Sequence, residues 1–192
     1  MPTHIALLRG INLGGNKRMA MADLRELVSS LGHQDVSTYI QSGNVLFSTQ
    51  QGDAGELAAG LRQAIAGRLG IQAGVIVLTR DQLAQIARDN PYPDEPDPKS
   101  VHVIFLPADQ DLALLPERAD RLSDVQQQAA DKGSRDEVTQ VGRAVYLHTP
   151  DGFGNSELAK LLGKAGGPMS AKGAGTARNW STVTKLLALC DG

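Results

Sequence analysis

The chain contains one cysteine, Cys190, among 192 residues. An internal disulfide and a cysteine-built metal cluster are therefore excluded. Aromatic residues make up 4% of the sequence, and the stacking platforms that hold single-stranded nucleic acid are built from such rings. No apolar run approaches the roughly 20 residues of a membrane-spanning helix. The apolar run near the start, Ile5 to Leu8, is far too short for a secretory signal. Neither sign of charge is in excess: 19 Lys+Arg stand against 21 Asp+Glu, a formal net charge of −2. Such a chain does not coat nucleic acid by bulk electrostatics, although one face can still be basic. These shortages lead us to expect a cytoplasmic protein with no membrane partner.

Reaction signatures are missing too. The phosphate-loop pattern GxxxxGK[ST] is absent, and "GINLGG" lacks the spacing and acidic follow-up of a dinucleotide fingerprint. The histidines, His4, His33, His102 and His148, show no metal-ligand spacing such as HExxH. Ser42 has no local base to make it a nucleophile. Glu117, Asp120, Asp124, Asp131, Asp136 and Glu137 read as surface charge. No metal is expected, and no cofactor is assigned.

What the chain does have is alternation between strand-like and helix-like patterns. "HIALLR" reads as a strand. Leu24, Leu27, Val28 and Leu31 recur at helical spacing, which predicts a helix over Ala20 to Leu31, stopped by Gly32. "VSTYIQSGNVLFST" predicts a hairpin turning on Gly43-Asn44. That register pairs Ser42 with Val45 and Ile40 with Phe47, and it makes Thr38, Ile40, Phe47 and Thr49 the core face. A helix over Ala54 to Leu69 and the strand "GVIVL" complete β-α-β-β-α-β, the ferredoxin-like order. A short helix is then expected from Arg80 or Asp81 to Asp89. "NPYPDEPDPKS" carries four prolines, which makes it a linker or a lid. Beyond it come the strand "VHVIFLP", a helix over Asp111 to Leu122, a hairpin around Gly142-Arg143, a helix over Asn155 to Leu162, and a last helix over Asn179 to Leu189. The polar "DVQQQAADKGSRD" either extends the preceding helix or lies loose.

The expected fold is α+β: two ferredoxin-like α/β-plait halves with antiparallel sheets, the second with an extra C-terminal helix. The expected divisions are 1–78 for the first half, 79–99 for the helix and proline-rich linker, and 100–192 for the second half. The segments "ALLRGINLGGNKRMAMADLRELVSSLG", "VSTYIQSGNVLFS", "VYLHTPDGFGNSELAKLL" and "GTARNWSTVTKLLAL" together resemble the bacterial family of unknown function numbered 1697. That resemblance implies two ferredoxin-like halves and no established activity.

The strongest candidate site is Arg9 to Arg18. Gly10, Gly14 and Gly15 let backbone N–H groups turn towards an anion. Arg9, Lys17 and Arg18 supply positive charge, and Asn12 orients the ligand or holds the loop. The competing reading is a plain connection with solvated cations and local asparagine caps. The second basic stretch holds Arg178 beside Asn179, where Thr176 or Asn179 caps the last helix and its N-terminus favours an anion. The functional expectation is a small anionic or phosphate-bearing ligand, with single-stranded nucleic acid the weaker candidate. Two alternatives stand beside it. One is an enzyme of unknown reaction, its site assembled from both halves. The other is a structural or protein-interaction module.

Overall fold

The strand read from "HIALLR" forms β1, His4–Arg9, in a computed structural model that describes residues 1–12, 18–50, 52–107, 115–164 and 175–192, with the backbone alone over 115–119. Ile5, Ala6 and Leu7 are fully buried, so β1 is covered on both faces and must lie inside a sheet. It pairs antiparallel with β3 (Asn44–Ser48) on one side and β4 (Gly74–Thr79) on the other. With β2 (Gln34–Tyr39) the sheet order is β2-β3-β1-β4. Helices α1 (Met21–Ser30) and α2 (Ala54–Leu69) follow β1 and β3 in the chain. Their apolar stripes, Leu24, Leu27 and Val28 on α1 and Leu61 and Ile65 on α2, form one core with Ala6, Leu8, Val45 and Phe47 of the sheet. α2 starts where the Asp53 carboxylate accepts the Gly55 and Glu56 amides at 2.7 and 2.9 Å and ends at the left-handed Gly70, φ 65°.

The chain divides into two units, Met1–Gln85 with Lys185–Gly192, and Ile86–Thr184. Helix α3 (Arg80–Arg88) passes from the first into the second. The second unit holds β5 (Val101–Phe105), α4 (Leu115–Ala130), β6 (Glu137–Val141), β7 (Ala144–His148), α5 (Glu157–Leu162) and β8 (Thr176–Asn179). Its sheet order, β6-β7-β5-β8, is the order of the first sheet moved along the chain. Its core joins Ile104, Val145 and Leu147 of the sheet with Leu122, Ala129, Leu158 and Leu162 of the helices. The last helix, α6 (Trp180–Asp191), runs back into the first unit. There the Arg80 guanidinium donates two hydrogen bonds to Asp191 Oδ1, at 2.9 and 2.7 Å.

Two ferredoxin-like antiparallel halves with a C-terminal helix are thus the architecture, as expected. Four details differ. The first hairpin turns on Ile40 to Gly43, not on Gly43-Asn44, because Tyr39 pairs with Asn44 and Thr38 with Val45. Asn44 is fully buried, and its amide donates to Tyr39 O at 3.1 Å and Ser42 Oγ at 2.9 Å, so it closes the loop from the strand side. Ile40, expected in the core, is 52% exposed. Thr176 to Asn179, expected to lead into a helix, instead form β8 on β5. Asp136, read as surface charge, is 5% exposed, and its Oδ2 accepts the Ser156 hydroxyl at 2.8 Å and the Leu158 amide at 3.3 Å. Of the two courses expected for the polar stretch, the structure shows the first: α4 continues to Ala130, and its expected start at Asp111 lies outside the described residues. The β6–β7 hairpin does turn on Gly142-Arg143, since Val141 pairs with Ala144.

Candidate functional site

Arg9 is the last residue of β1 and pairs with Gly74 of β4. A Cβ on Gly74 would sit 3.4 Å from Arg9 Cβ and 3.9 Å from Arg9 Cδ. A side chain there would make ordinary contact with the arginine stem, so the stem runs alongside the Gly74 backbone. Strand alternation puts Arg9 on the sheet face of Ile5 and Leu7, opposite the face where Ala6 and Leu8 meet the helices. The chain then leaves the sheet through Gly10 at φ 77° and Asn12 at φ 54°.

Asn12 is the organiser of this segment. Its Oδ1 accepts the Met19 amide at 2.8 Å, while its Nδ2 donates to Met19 O at 3.2 Å and to Gln41 O at 2.9 Å. One side chain therefore joins the start of the β1–α1 connection, its end and the tip of the β2–β3 hairpin. Ile11 and Met19, on either side, are buried in the first core. Leu8 N donates to Gly43 O at 2.8 Å, and a Cβ on Gly43 would come within 2.7 Å of Leu8 Cβ and 2.6 Å of Ile11 Cδ1. The two glycine-containing motifs, separate in sequence, are thus one packed structure. Arg18 is exposed beside it. Gly14, Gly15 and Lys17 lie outside the described residues.

The facing hairpin loop holds an unusual backbone. Ile40 adopts φ 49°, a left-handed conformation that costs a β-branched residue roughly 1–2 kcal/mol. Its neighbour Gln41 is pinned through Asn12, so the strain cannot relax without losing that bond.

Arg178 and Asn179 belong to the second unit. Arg178 sits on β8 opposite Val103. Its guanidinium donates to Thr176 Oγ1 at 2.9 Å and Ala177 O at 2.7 Å, and burial lowers its pKa to about 10. Asn179 Oδ1 accepts the Thr182 amide at 3.0 Å, which makes Asn179 the cap of α6.

The second unit also carries a polar cluster that the sequence reading missed. His148 Nε2 lies 2.5 Å from Glu95 Oε2, with the two side chains 20% and 17% exposed. The Tyr92 ring stacks on His148 at 5.1 Å between centroids, and its hydroxyl bonds Thr139 Oγ1 at 3.1 Å. The proline-rich segment is therefore a strap docked on β6 and β7. The Asp97 amide, donated to Glu95 Oε1 at 3.0 Å, and the His148 bond hold the Glu95 carboxyl below its usual pKa. No local motif announces this cluster; only the register of β7 and the tyrosine in a proline-rich stretch hint at it.

Titration is perturbed elsewhere as well. His102 stacks on Phe153 at 4.1 Å, its buried Nδ1 has no hydrogen-bond partner among the described residues, and desolvation lowers its pKa to about 4. His4 is lowered by burial and then by the nearby charge of His33, and His33 by burial. Both rings pack on Phe47. His4 opens β1 and Arg9 ends it, so these rings lie at the opposite end of the strand from the basic segment. Among the described residues, no three His, Cys, Asp or Glu side chains converge as a metal set. No helix among them is long and apolar enough to cross a membrane.

Two βαββαβ halves, each a four-stranded antiparallel sheet with helices packed against it, define the class of protein. Within that class the chain belongs to the family described as a protein of unknown function, DUF1697, whose family model matches residues 1–146. Its fold is also that of the conserved bacterial protein SP0830 from Streptococcus pneumoniae, with a TM-score of 0.73 at 20% sequence identity over 98% of each chain. A comparison with curated proteins found no match.

Proposed function

We propose that the β1–α1 segment of the first unit is a receptor for a small anionic group, with phosphate the type ligand. The observation that carries this reading is the Asn12 clamp. It draws the two described ends of a connection that is glycine-rich in sequence together and ties them to the β2–β3 loop, which lowers the ordering cost of a ligand bound at those ends. Arg9 and Arg18 flank the clamp and supply the long-range attraction, with Arg9 able to bind two oxygens at once. Gly10 at φ 77° allows the amide orientations that an anion-binding nest requires. Gly14, Gly15 and Lys17 are proposed contributors from the same connection. Arg178 and Asn179 carry local hydrogen bonds of their own unit, and the reading does not depend on them.

Calorimetric titration of the full chain with inorganic phosphate tests the proposal. Arg9→Ala and Arg18→Ala should each weaken binding at least severalfold, and Lys99→Ala, in the proline-rich segment, should leave it unchanged. Equal affinity in all three variants would remove the site.

A further inference from the structure

Between Pro91 and Lys99 every side chain is exposed except two, Tyr92 and Glu95. Both reach the same residue. The Tyr92 ring stacks on the His148 imidazole at 5.1 Å between centroids, and Glu95 Oε2 lies 2.5 Å from His148 Nε2. The bond between the Tyr92 hydroxyl and Thr139 Oγ1, at 3.1 Å, is made by the same stacked ring. The other side-chain bonds of the segment are local. The Tyr92 amide donates to Asn90 Oδ1 at 3.0 Å, the Asp97 amide to Glu95 Oε1 at 3.0 Å and the Lys99 amide to Asp97 Oδ1 at 2.9 Å.

The two ends are fixed by other means. The Tyr146 hydroxyl donates to Ile86 O at 2.7 Å, in the last turn of α3. At the far end Ser100 O accepts the Thr149 amide at 2.8 Å and the Thr149 hydroxyl at 3.1 Å. The four prolines in between fix φ and leave the chain few conformations to explore. A stiff segment with anchored ends and few buried contacts opens locally, as one unit, while the sheet beneath it stays folded.

We propose that this segment is a hinged flap over β6 and β7 and that His148 is its single latch: Tyr92 and Glu95 are coupled through that imidazole and release together. Release bares the His148 ring and the Thr139 hydroxyl, and closure covers both again. The flap belongs to the second unit and does not depend on the anion site of the first.

Native-state hydrogen exchange of the full chain, followed at single amides by NMR, tests the latch. His148→Ala should quicken exchange at the Tyr92 and Asp97 amides by a common factor of about tenfold or more, with the core of β7 unchanged. Tyr92→Ala leaves both the sheet and Glu95 intact. It should nevertheless quicken the Asp97 amide by about threefold or more, and in the His148→Ala background it should add nothing further. If Tyr92→Ala leaves Asp97 exchanging as in the natural sequence, or if its full effect multiplies that of His148→Ala, the two contacts are independent and the single latch is overturned. Should His148→Ala loosen β7 itself, Tyr92→Ala alone decides: a quickened Asp97 amide supports the latch, and an unchanged one overturns it.

Discussion

At the scale of single residues, Asn12 and Gly43 carry the first unit's candidate site for opposite reasons. Asn12 acts through what its side chain adds: three hydrogen bonds to two other points in the chain. Asn12→Ala leaves the buried Met19 amide without its partner and forces alanine to φ 54°. A loss of about 2–3 kcal/mol is expected, measurable by urea denaturation, together with weaker phosphate binding. Gly43 acts through what it lacks. Gly43→Ala would place a methyl group within 2.7 Å of Leu8 and Ile11 at φ 73°, so it should cost at least about 2 kcal/mol. An alanine as stable as the glycine would show that the β1–α1 connection and the hairpin are not packed together. Ile40→Asn should move the other way, by up to about 1 kcal/mol towards greater stability, since asparagine tolerates the left-handed backbone.

At the scale of elements, the sequence was legible where local pattern decides the outcome. Helical spacing located α1 and α2 because their stripes face one core. The Gly142-Arg143 turn was legible because Gly142 takes φ 54° in a two-residue loop. The same logic misread the first hairpin. Gly43-Asn44 has the composition of a primed turn, yet Asn44 is a buried strand residue whose amide bonds Tyr39 and Ser42. A polar side chain acting inward is indistinguishable in sequence from one acting outward. β8 escaped for another reason: "TARN" has no strand pattern and becomes a strand by pairing with β5. The clamp and the strap escaped because their partners are distant in sequence: Asn12 to Gln41, and Glu95 to His148. The strap yields an element-scale prediction. Glu95→Ala removes the acceptor of the Asp97 amide and the His148 bond. Hydrogen exchange at Asp97 should quicken at least tenfold, while exchange in the core of β7 stays unchanged. Because docking lowers the Glu95 pKa, the strap favours the ionised carboxylate. Its protection should be full above the ordinary value of 4.5 and be lost as pH falls below it. Protection at Asp97 that survives Glu95→Ala would mean the prolines and Tyr92 suffice to hold the segment.

At the scale of the whole molecule, acid should act on both units through their neutral histidines. His4 and His33 in the first unit and His102 in the second are all held below the ordinary imidazole value of 6.5. A lowered histidine pKa means that the unfolded chain takes up a proton before the folded one does. Stability from these groups is therefore intact above about pH 6.5 and declines as pH falls. For His102 the decline runs from 6.5 to about 4, worth up to about 3 kcal/mol, less where water reaches the ring. The physical cause is specific. Charging the imidazole puts a positive charge in a site largely withdrawn from water, on a ring whose buried Nδ1 meets no acceptor among the described residues. His102→Phe should keep the stacking and delete the titration. Urea denaturation of the natural chain should lose stability steadily between pH 6.5 and 4, and His102→Phe should flatten much of that slope in the transition of the second unit. Below that range Asp151 and Glu157, whose carboxyl pKa values are lowered by Arg135 and by Lys160 respectively, add a further loss that His102→Phe leaves in place. An unaltered slope in His102→Phe would show that the ring is already charged in the folded state, and that an acceptor for its inner nitrogen forms within the second core.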